Sequence, residues 1–271
     1  MNNPIRCFEG DSKPHEPFWT FRNADSQEPE LELYGYISEY SWFEDDITPG
    51  LFKKDLYDVG KGNPIKIKIN SYGGDLIAAS VMHSMIRDYP GKVKVVIDGV
   101  AASAATIVAV AGDEVEIRNQ GYFMIHDPSI VFFLAQINLE EMARLTDSLQ
   151  VAKDGILNAY ERKTGLSRTR LSKLMSEETW MDANRAVDLG FVDRIIDDTE
   201  KKLYIPEDAA MINGIYRFSN VPPEILQAIQ AIKPQEDEKS SDSLFTEEDE
   251  REAQTLRERI TQILRKDEQN A

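Results

Sequence analysis

Apolar and polar residues alternate in two stretches, Leu31-Glu-Leu-Tyr-Gly-Tyr-Ile37 and, strictly, Ile65-Lys-Ile-Lys-Ile69, the period of a strand with one face buried. A helical stretch is expected between them. After Ile69 the turn cluster Asn70-Ser-Tyr-Gly-Gly-Asp75 precedes Leu76–Tyr89, where Leu76, Ile77, Ala78, Ala79, Ser80, Val81, Met82 and Met85 predict a largely buried helix. Asp75, or Asn70 before it, is expected to start that helix by accepting a bond from a free backbone N–H. Val93–Ile97 then predicts a strand, Asp98-Gly99 a turn, Ala101–Ala111 an apolar helix of small residues, and Glu114–Ile117 a further strand. Strands alternating with helices imply an α/β fold with a parallel sheet and right-handed crossovers. Leu145, Leu149, Ala152, Ile156 and Tyr160 recur at helical spacing within Leu139–Lys163, a long helix expected to project from the sheet edge or lie on it. Two shorter helices are predicted near Ser167–Ser176 and Asp182–Leu189, closed by Gly190 and the strand Phe191–Ile196.

The flanks read differently. Residues 1–30 scatter prolines among charges and form an arm with one short strand around Phe18–Phe21. The main domain covers 31–200, an extension with an amphipathic turn or two at Glu224–Ile232 covers 201–234, and an acidic tail covers 235–271. Residues 235–252, dense in Asp, Glu and Ser, have the composition of a solvated linker. Glu248–Ile263 is a polar helix candidate that needs a partner.

Composition narrows the functional classes. The 271 residues suffice for one α/β domain of about 200 residues with extensions. The longest apolar candidate, Val100–Ala111, is short of the roughly 20 residues that cross a bilayer, which argues against a membrane partner. The N-terminus has no basic segment leading into an apolar one, so a cytoplasmic protein is expected. Cys7 has no second cysteine to pair with, and His15, His83 and His126 are too scattered for a histidine metal cluster; no cofactor or metal is implied. The net charge of −17 argues against nucleic acid, whose phosphates call for clustered Lys and Arg. Neutral or basic polypeptides fit better as partners.

Three short motifs carry candidate chemistry. In Asn70-Ser-Tyr-Gly-Gly-Asp75 the paired glycines let backbone N–H groups approach a bound group closely. In Gly99-Val-Ala-Ala-Ser-Ala-Ala-Thr106 a serine follows a strand and opens a helix, so an oxyanion formed by its attack could be held by backbone donors such as the Ala104 N–H. The third, Gly121-Tyr-Phe-Met-Ile-His-Asp-Pro128, is an apolar strand ending in a histidine, the side chain best suited at neutral pH to take a serine proton. Each alone has a plain structural reading, as a turn, a helix cap and a hydrogen-bonding histidine; their conjunction gives the chemistry. No G-x-S-x-G elbow is present, which leaves an α/β-hydrolase unsupported.

Taken in series, strand-NS-x-GG-helix, strand-G-x-AAS-helix and strand-MIH-x-P resemble the Clp protease proteolytic-subunit family over roughly Leu31–Asp198. The variant with Glu178-Thr-Trp180 and extra termini looks most like phage head maturation (prohead) proteases of that class. The resemblance implies a Clp/crotonase-type repeated β-β-α superhelix with a protruding long helix. It implies Ser103 as nucleophile, His126 as base, and the N–H groups of Gly74 and Ala104 as oxyanion hole. The third triad member aligns with Glu178, with Glu177 and Asp182 as alternatives. Extended substrate is expected beside Gly73 and along Asp127, Pro128 and Ile130–Ala135. A homo-oligomeric ring follows from the same likeness, with an ATPase partner left open, and scaffold and capsid proteins would be the substrates, in the host cytoplasm or inside the assembling head. Two other readings share the fold: a catalytically silent assembly protein, and a crotonase-type acyl-CoA enzyme.

Overall fold

The computed structural model describes residues 21–22, 29–37, 49–130, 137–197 and 218–232. The chain divides into two compact units, Met1–Gln230 and Ala231–Ala271; of the second, only the end of one helix lies among the described residues. The predicted acidic linker, the Glu248–Ile263 helix and most of the arm lie outside them.

The strands are β1 (Phe21–Arg22), β2 (Glu30–Tyr34), β3 (Ile65–Ser71), β4 (Val93–Ala102), β5 (Glu114–Arg118), β6 (Tyr122–Ile125), β7 (Thr179–Asp182) and β8 (Arg194–Ile196). The helices are α1 (Pro49–Gly60), α2 (Leu76–Asp88), α3 (Ala104–Ala109), α4 (Leu139–Thr164), α5 (Arg168–Ser176), α6 (Ala183–Asp188) and α7 (Pro223–Ile232). The sheet runs β1-β2-β3-β4-β5-β8, with β6 attached to β4 and β7 to β6. All its pairs are parallel except β1 with β2 and β6 with β7.

The alternation in β3 separates two chemistries. Ile65, Ile67 and Ile69 are buried in the core with Met82 and Ile86 of α2 and Ala105 and Val108 of α3. Lys66 and Lys68 turn to the other side, where Lys66 and Lys68 pair with Glu30, Lys94 with Glu116, and Arg118 with Asp98. Cross-strand pairs of opposite charge stabilise a half-covered sheet face modestly.

Two predicted boundaries move, and both moves matter for the site. Asp98-Gly99 is not a turn: β4 runs unbroken from Val93 to Ala102. It can do so because it changes neighbours, pairing with β5 through Lys94–Ile97 and with β6 through Val100–Ala102. Ala101 and Ala102 therefore belong to a strand, and the helix begins only at Ala104. Where the β3–β4 register slips between Ile69 and Ser71, the fully buried Asn70 accepts the Val100 N–H at 3.0 Å. Asn70 thus mends the ladder, and Asp75 caps α2 by accepting from the Ala78 N–H at 2.7 Å.

The helix α2 is amphipathic rather than largely buried. Ala78, Ala79, Met82 and Ile86 face the core while Ile77 and Val81 are exposed. The strand β7 was not foreseen; the predicted Phe191–Ile196 strand shortens to β8. A capping box of Asn138 and Glu141 starts α4, and Gly165 in the left-handed region ends it. No residue of α4 before Ile156 is buried; Ile156, Leu157 and Tyr160 fix its C-terminal part to the core. Among the described residues no helix is long and apolar enough to cross a membrane.

Candidate active site

The unbroken β4 delivers Ser103 to the point where the strand becomes α3. Ser103 sits at φ 55°, ψ −129°, a conformation that L-residues rarely adopt and that costs on the order of 1–3 kcal/mol. The surrounding bonds hold it there. Its N–H donates to the Met124 carbonyl of β6 at 2.9 Å, and its carbonyl accepts the Thr106 N–H at 2.9 Å and the Thr106 hydroxyl at 2.5 Å. The Thr106 hydroxyl lies 2.6 Å from the Tyr160 hydroxyl of α4, and burial pushes the Tyr160 phenol well above its ordinary pKa. Since the Thr106 proton goes to Ser103, Tyr160 is the donor in that pair. Tyr160→Phe removes the donor and is expected to lower stability by about 1–2 kcal/mol, read as a shift in the denaturant midpoint.

The strand β6 ends at Ile125 and places His126 opposite. Ser103 Oγ and His126 Nε2 are 2.6 Å apart. Burial holds the His126 imidazole below its ordinary pKa of 6.5, against the charges of Glu178 and Asp127, which pull it upward. The imidazole is thus kept neutral and able to accept a proton at neutral pH.

Beside Ser103 lies the glycine pair. Gly73 (φ 97°) leaves no room for a side chain: a Cβ there would stand 2.7 Å from the Ala102 carbonyl, 2.8 Å from Ser103 Cβ and 2.9 Å from the Ala104 nitrogen. Gly74 (φ 148°) is bridged to Ile37, whose carbonyl would be 2.0 Å from an added Cβ. The Gly73 N–H goes to Ser71 Oγ at 3.1 Å and the Asp75 N–H to the Ile37 carbonyl at 2.7 Å. No hydrogen bond among the described residues engages the Gly74 N–H, and the Ala104 N–H opens α3, where helix geometry supplies it no partner.

The acids are distributed unequally. Glu178, at φ 48°, is near enough for its charge to act on His126, but no hydrogen bond joins the two. Its carboxylate accepts instead from Trp180 Nε1 at 3.4 Å, the Ser219 N–H at 3.0 Å and the Asn220 N–H at 2.7 Å. Glu177 is exposed and pairs with Lys173 at 3.7 Å. Asp182 caps α6 by accepting the Arg185 N–H at 2.8 Å. Asp127 pairs with Lys153 at 2.7 Å and accepts from the Ser176 hydroxyl at 2.8 Å. Pro128 is half-buried and Ile130 exposed; the rest of the expected specificity stretch, 131–135, lies outside the described residues. Phe218, missed from the sequence, lays its ring edge-to-face against His126 with centroids 5.3 Å apart.

Residues 52–199 match the sequence profile of the Clp protease family. The chain belongs to that family. It is a serine-type endopeptidase, which leaves the silent-scaffold and acyl-CoA readings without support. Among relatives it is similar to the ATP-dependent Clp protease proteolytic subunit 1 of Chlamydia muridarum, 30% identical over 139 residues, covering 50% of this chain and 71% of the relative. It is similar to the corresponding subunit of Deinococcus radiodurans, 26% identical over 140 residues, covering 51% of this chain and 67% of the relative. A solved structure of a ClpP1 point mutant from Listeria monocytogenes superposes with a TM-score of 0.54 at 26% identity, covering 63% of this chain and 92% of that one. These are bacterial proteolytic subunits, and they overturn the expected likeness to phage head maturation proteases and leave the capsid and scaffold substrates it implied without support. That expectation leaned on Glu178-Thr-Trp180 and the long termini. The tripeptide has a local explanation, since Trp180 donates to Glu178 and meets Phe218 edge-to-face at 5.8 Å.

Proposed function

We propose that this endopeptidase works through Ser103 as nucleophile, His126 as general base and Glu178 as the acid beside the base. The observation that carries the reading is the 2.6 Å contact between Ser103 Oγ and His126 Nε2, with Ser103 held in a strained conformation at the head of α3. As Ser103 Oγ bonds to the scissile carbonyl carbon, its proton passes to His126 Nε2. The carbonyl oxygen becomes an oxyanion that accepts hydrogen bonds from the Gly74 and Ala104 N–H groups. His126 then protonates the leaving amine as the C–N bond breaks; water, deprotonated by His126, attacks the acyl carbon, and as the bond to Oγ breaks His126 returns the proton to Ser103. The Glu178 charge supports the imidazolium that forms between these steps. Extended polypeptide would lie beside Gly73 and along Asp127 and Pro128, through main-chain bonds.

A fluorophosphonate probe tests this directly. It is expected to label Ser103, with a rate that falls as pH drops through the pKa of His126. Because burial depresses that pKa, the half-maximal rate should lie below pH 6.5. Labelling at another residue, or a rate indifferent to pH on the acid side, would remove the assignment.

The architecture supports the finer reading of a repeated β-β-α superhelix, through its parallel pairings and its likeness to the Listeria structure. We read 31–200 as the peptidase domain and 201–234 and 235–271 as an extension and an acidic tail. We further propose a homo-oligomeric ring in the cytoplasm, and action with an ATPase, a reading to which the ATP-dependent relatives lend support. The bare half of α4, with Leu139 and Val151 exposed, fits a helix that meets another subunit.

A further inference from the structure

Phe218, Ser219 and Asn220 lie beyond the family-matched residues 52–199, yet they reach the candidate triad. The Asn220 N–H donates to Glu178 Oε1 at 2.7 Å and the Ser219 N–H to Oε2 at 3.0 Å. Asn220 Nδ2 donates to the Glu177 carbonyl at 3.2 Å. The Phe218 ring stands edge-to-face against both His126 and Trp180. Two residues further on α7 begins at Pro223, and its Ile225 is 1% exposed, so the segment leads into a buried position on its C-terminal side.

Three consecutive residues thus touch the base, the acid and the backbone beside the acid. Two adjacent amides, one on each carboxylate oxygen, make charge-assisted bonds that fix the rotation of the carboxylate. A glutamate needs such fixing more than an aspartate, since it has one more torsion to order. The contacts also leave the acid usable. An ionised carboxylate offers about four acceptor sites, and Trp180, Ser219 and Asn220 take three, leaving one for the His126 Nδ1 proton. The Phe218 contact leaves the Ser103–His126 bond intact at 2.6 Å.

We propose that Phe218–Asn220 is a positioning segment of the active centre: its Ser219 and Asn220 amides hold the Glu178 carboxylate beside His126, and its Phe218 ring restricts the imidazole. The proposal rests on the Ser103–His126–Glu178 reading. It makes a segment outside the matched family region necessary for full activity.

The test measures kcat and KM for a fluorogenic peptide against pH, using the full chain as wild type, Asn220→Pro, Phe218→Ala, Glu178→Gln and Ser103→Ala. Asn220→Pro removes one amide donor and Phe218→Ala the ring, so each variant covers the other should one fail to fold. Losing a triad acid outright costs on the order of 10⁴-fold in kcat; a loosened acid is expected to cost about tenfold or more. KM should stay at the wild-type value, and the acid limb should move to lower pH. The charges facing His126 are Glu178, just ahead of β7, and Asp127, the latter balanced by Lys153 of α4. A less well held Glu178 therefore supports the protonated imidazole less. Wild-type kcat in both segment variants, a raised kcat as an inhibitory strap would give, or a loss of kcat with an unmoved acid limb would each overturn the proposal. Activity surviving in Ser103→Ala would instead sink the triad reading beneath it.

Discussion

Ser103→Ala is expected to lower kcat for peptide hydrolysis by about 10⁶-fold, with His126→Ala close behind and the double variant no worse than either alone. The non-additivity is the informative part. On the proposed roles, a nucleophile and base joined by a 2.6 Å bond would act as one device, so removing either would remove the common function, whereas two residues with independent roles would multiply. Stability should hardly change. The only side-chain hydrogen bond of Ser103 among the described residues is the one to His126, and the bonds that hold its backbone, to Met124 and Thr106, do not involve Oγ. The measurement is kcat alongside a denaturation midpoint for all three variants. Hydrolysis by Ser103→Ala within tenfold of wild type, or a double variant far below both singles, would remove the pair from the mechanism.

The glycine pair gives the second large effect, and its two members should fail differently. A methyl at Gly74 would meet the backbone of Ile37, with the carbonyl oxygen at 2.0 Å and the nitrogen at 2.8 Å, and main chain cannot step aside as a flexible side chain could. The bridge must open, breaking the Ile37–Gly73 and Asp75–Ile37 hydrogen bonds. With the strain of a side chain at positive φ added, Gly74→Ala is expected to cost about 3–5 kcal/mol of stability. Gly73→Ala instead presses on Ser103 Cβ and the Ala104 nitrogen. A displacement of about 1 Å there can cost about 10²-fold in rate, so kcat should fall further than the midpoint suggests. A Gly74→Ala protein as stable as wild type would show that the bridge with Ile37 is not made in solution.

Much of this was legible from sequence because each of the three motifs follows the C-terminal end of a strand, and those strands, β3, β4 and β6, run parallel. Ile65–Ile69 announced its buried face by strict alternation, and Ser103 and His126 came from motif order. The misreadings have local causes. Gly99 looked like a turn because a single chain does not reveal that β4 exchanges β5 for β6 at that point. The brevity of β7 hid it between two helices, since Thr179-Trp-Met-Asp182 shows no clear period. Apolar content alone could not say that Ile77 and Val81 of α2 face outward. Phe218 was invisible for another reason: it lies 92 positions from His126 with no motif around it, and only the folded chain brings it there. The phage assignment failed because Glu178-Thr-Trp180 was asked to mark a lineage when its side chains answer to one another.

The exchange of partners along β4 has a further consequence for how the catalytic parts come undone. The Ser103 amide is tied to Met124, and β4 lies in the interior of the sheet between β3 and its other neighbours. Amides in such a position open to solvent exchange only when most of the domain unfolds. Glu178 takes two of its bonds from the Ser219 and Asn220 amides, which lie outside every strand of that sheet. Amide hydrogen exchange is therefore expected to be slower at Ser103 than at Ser219 and Asn220, so that on the proposed roles the hold on the acid would loosen before the strand end that shapes the nucleophile.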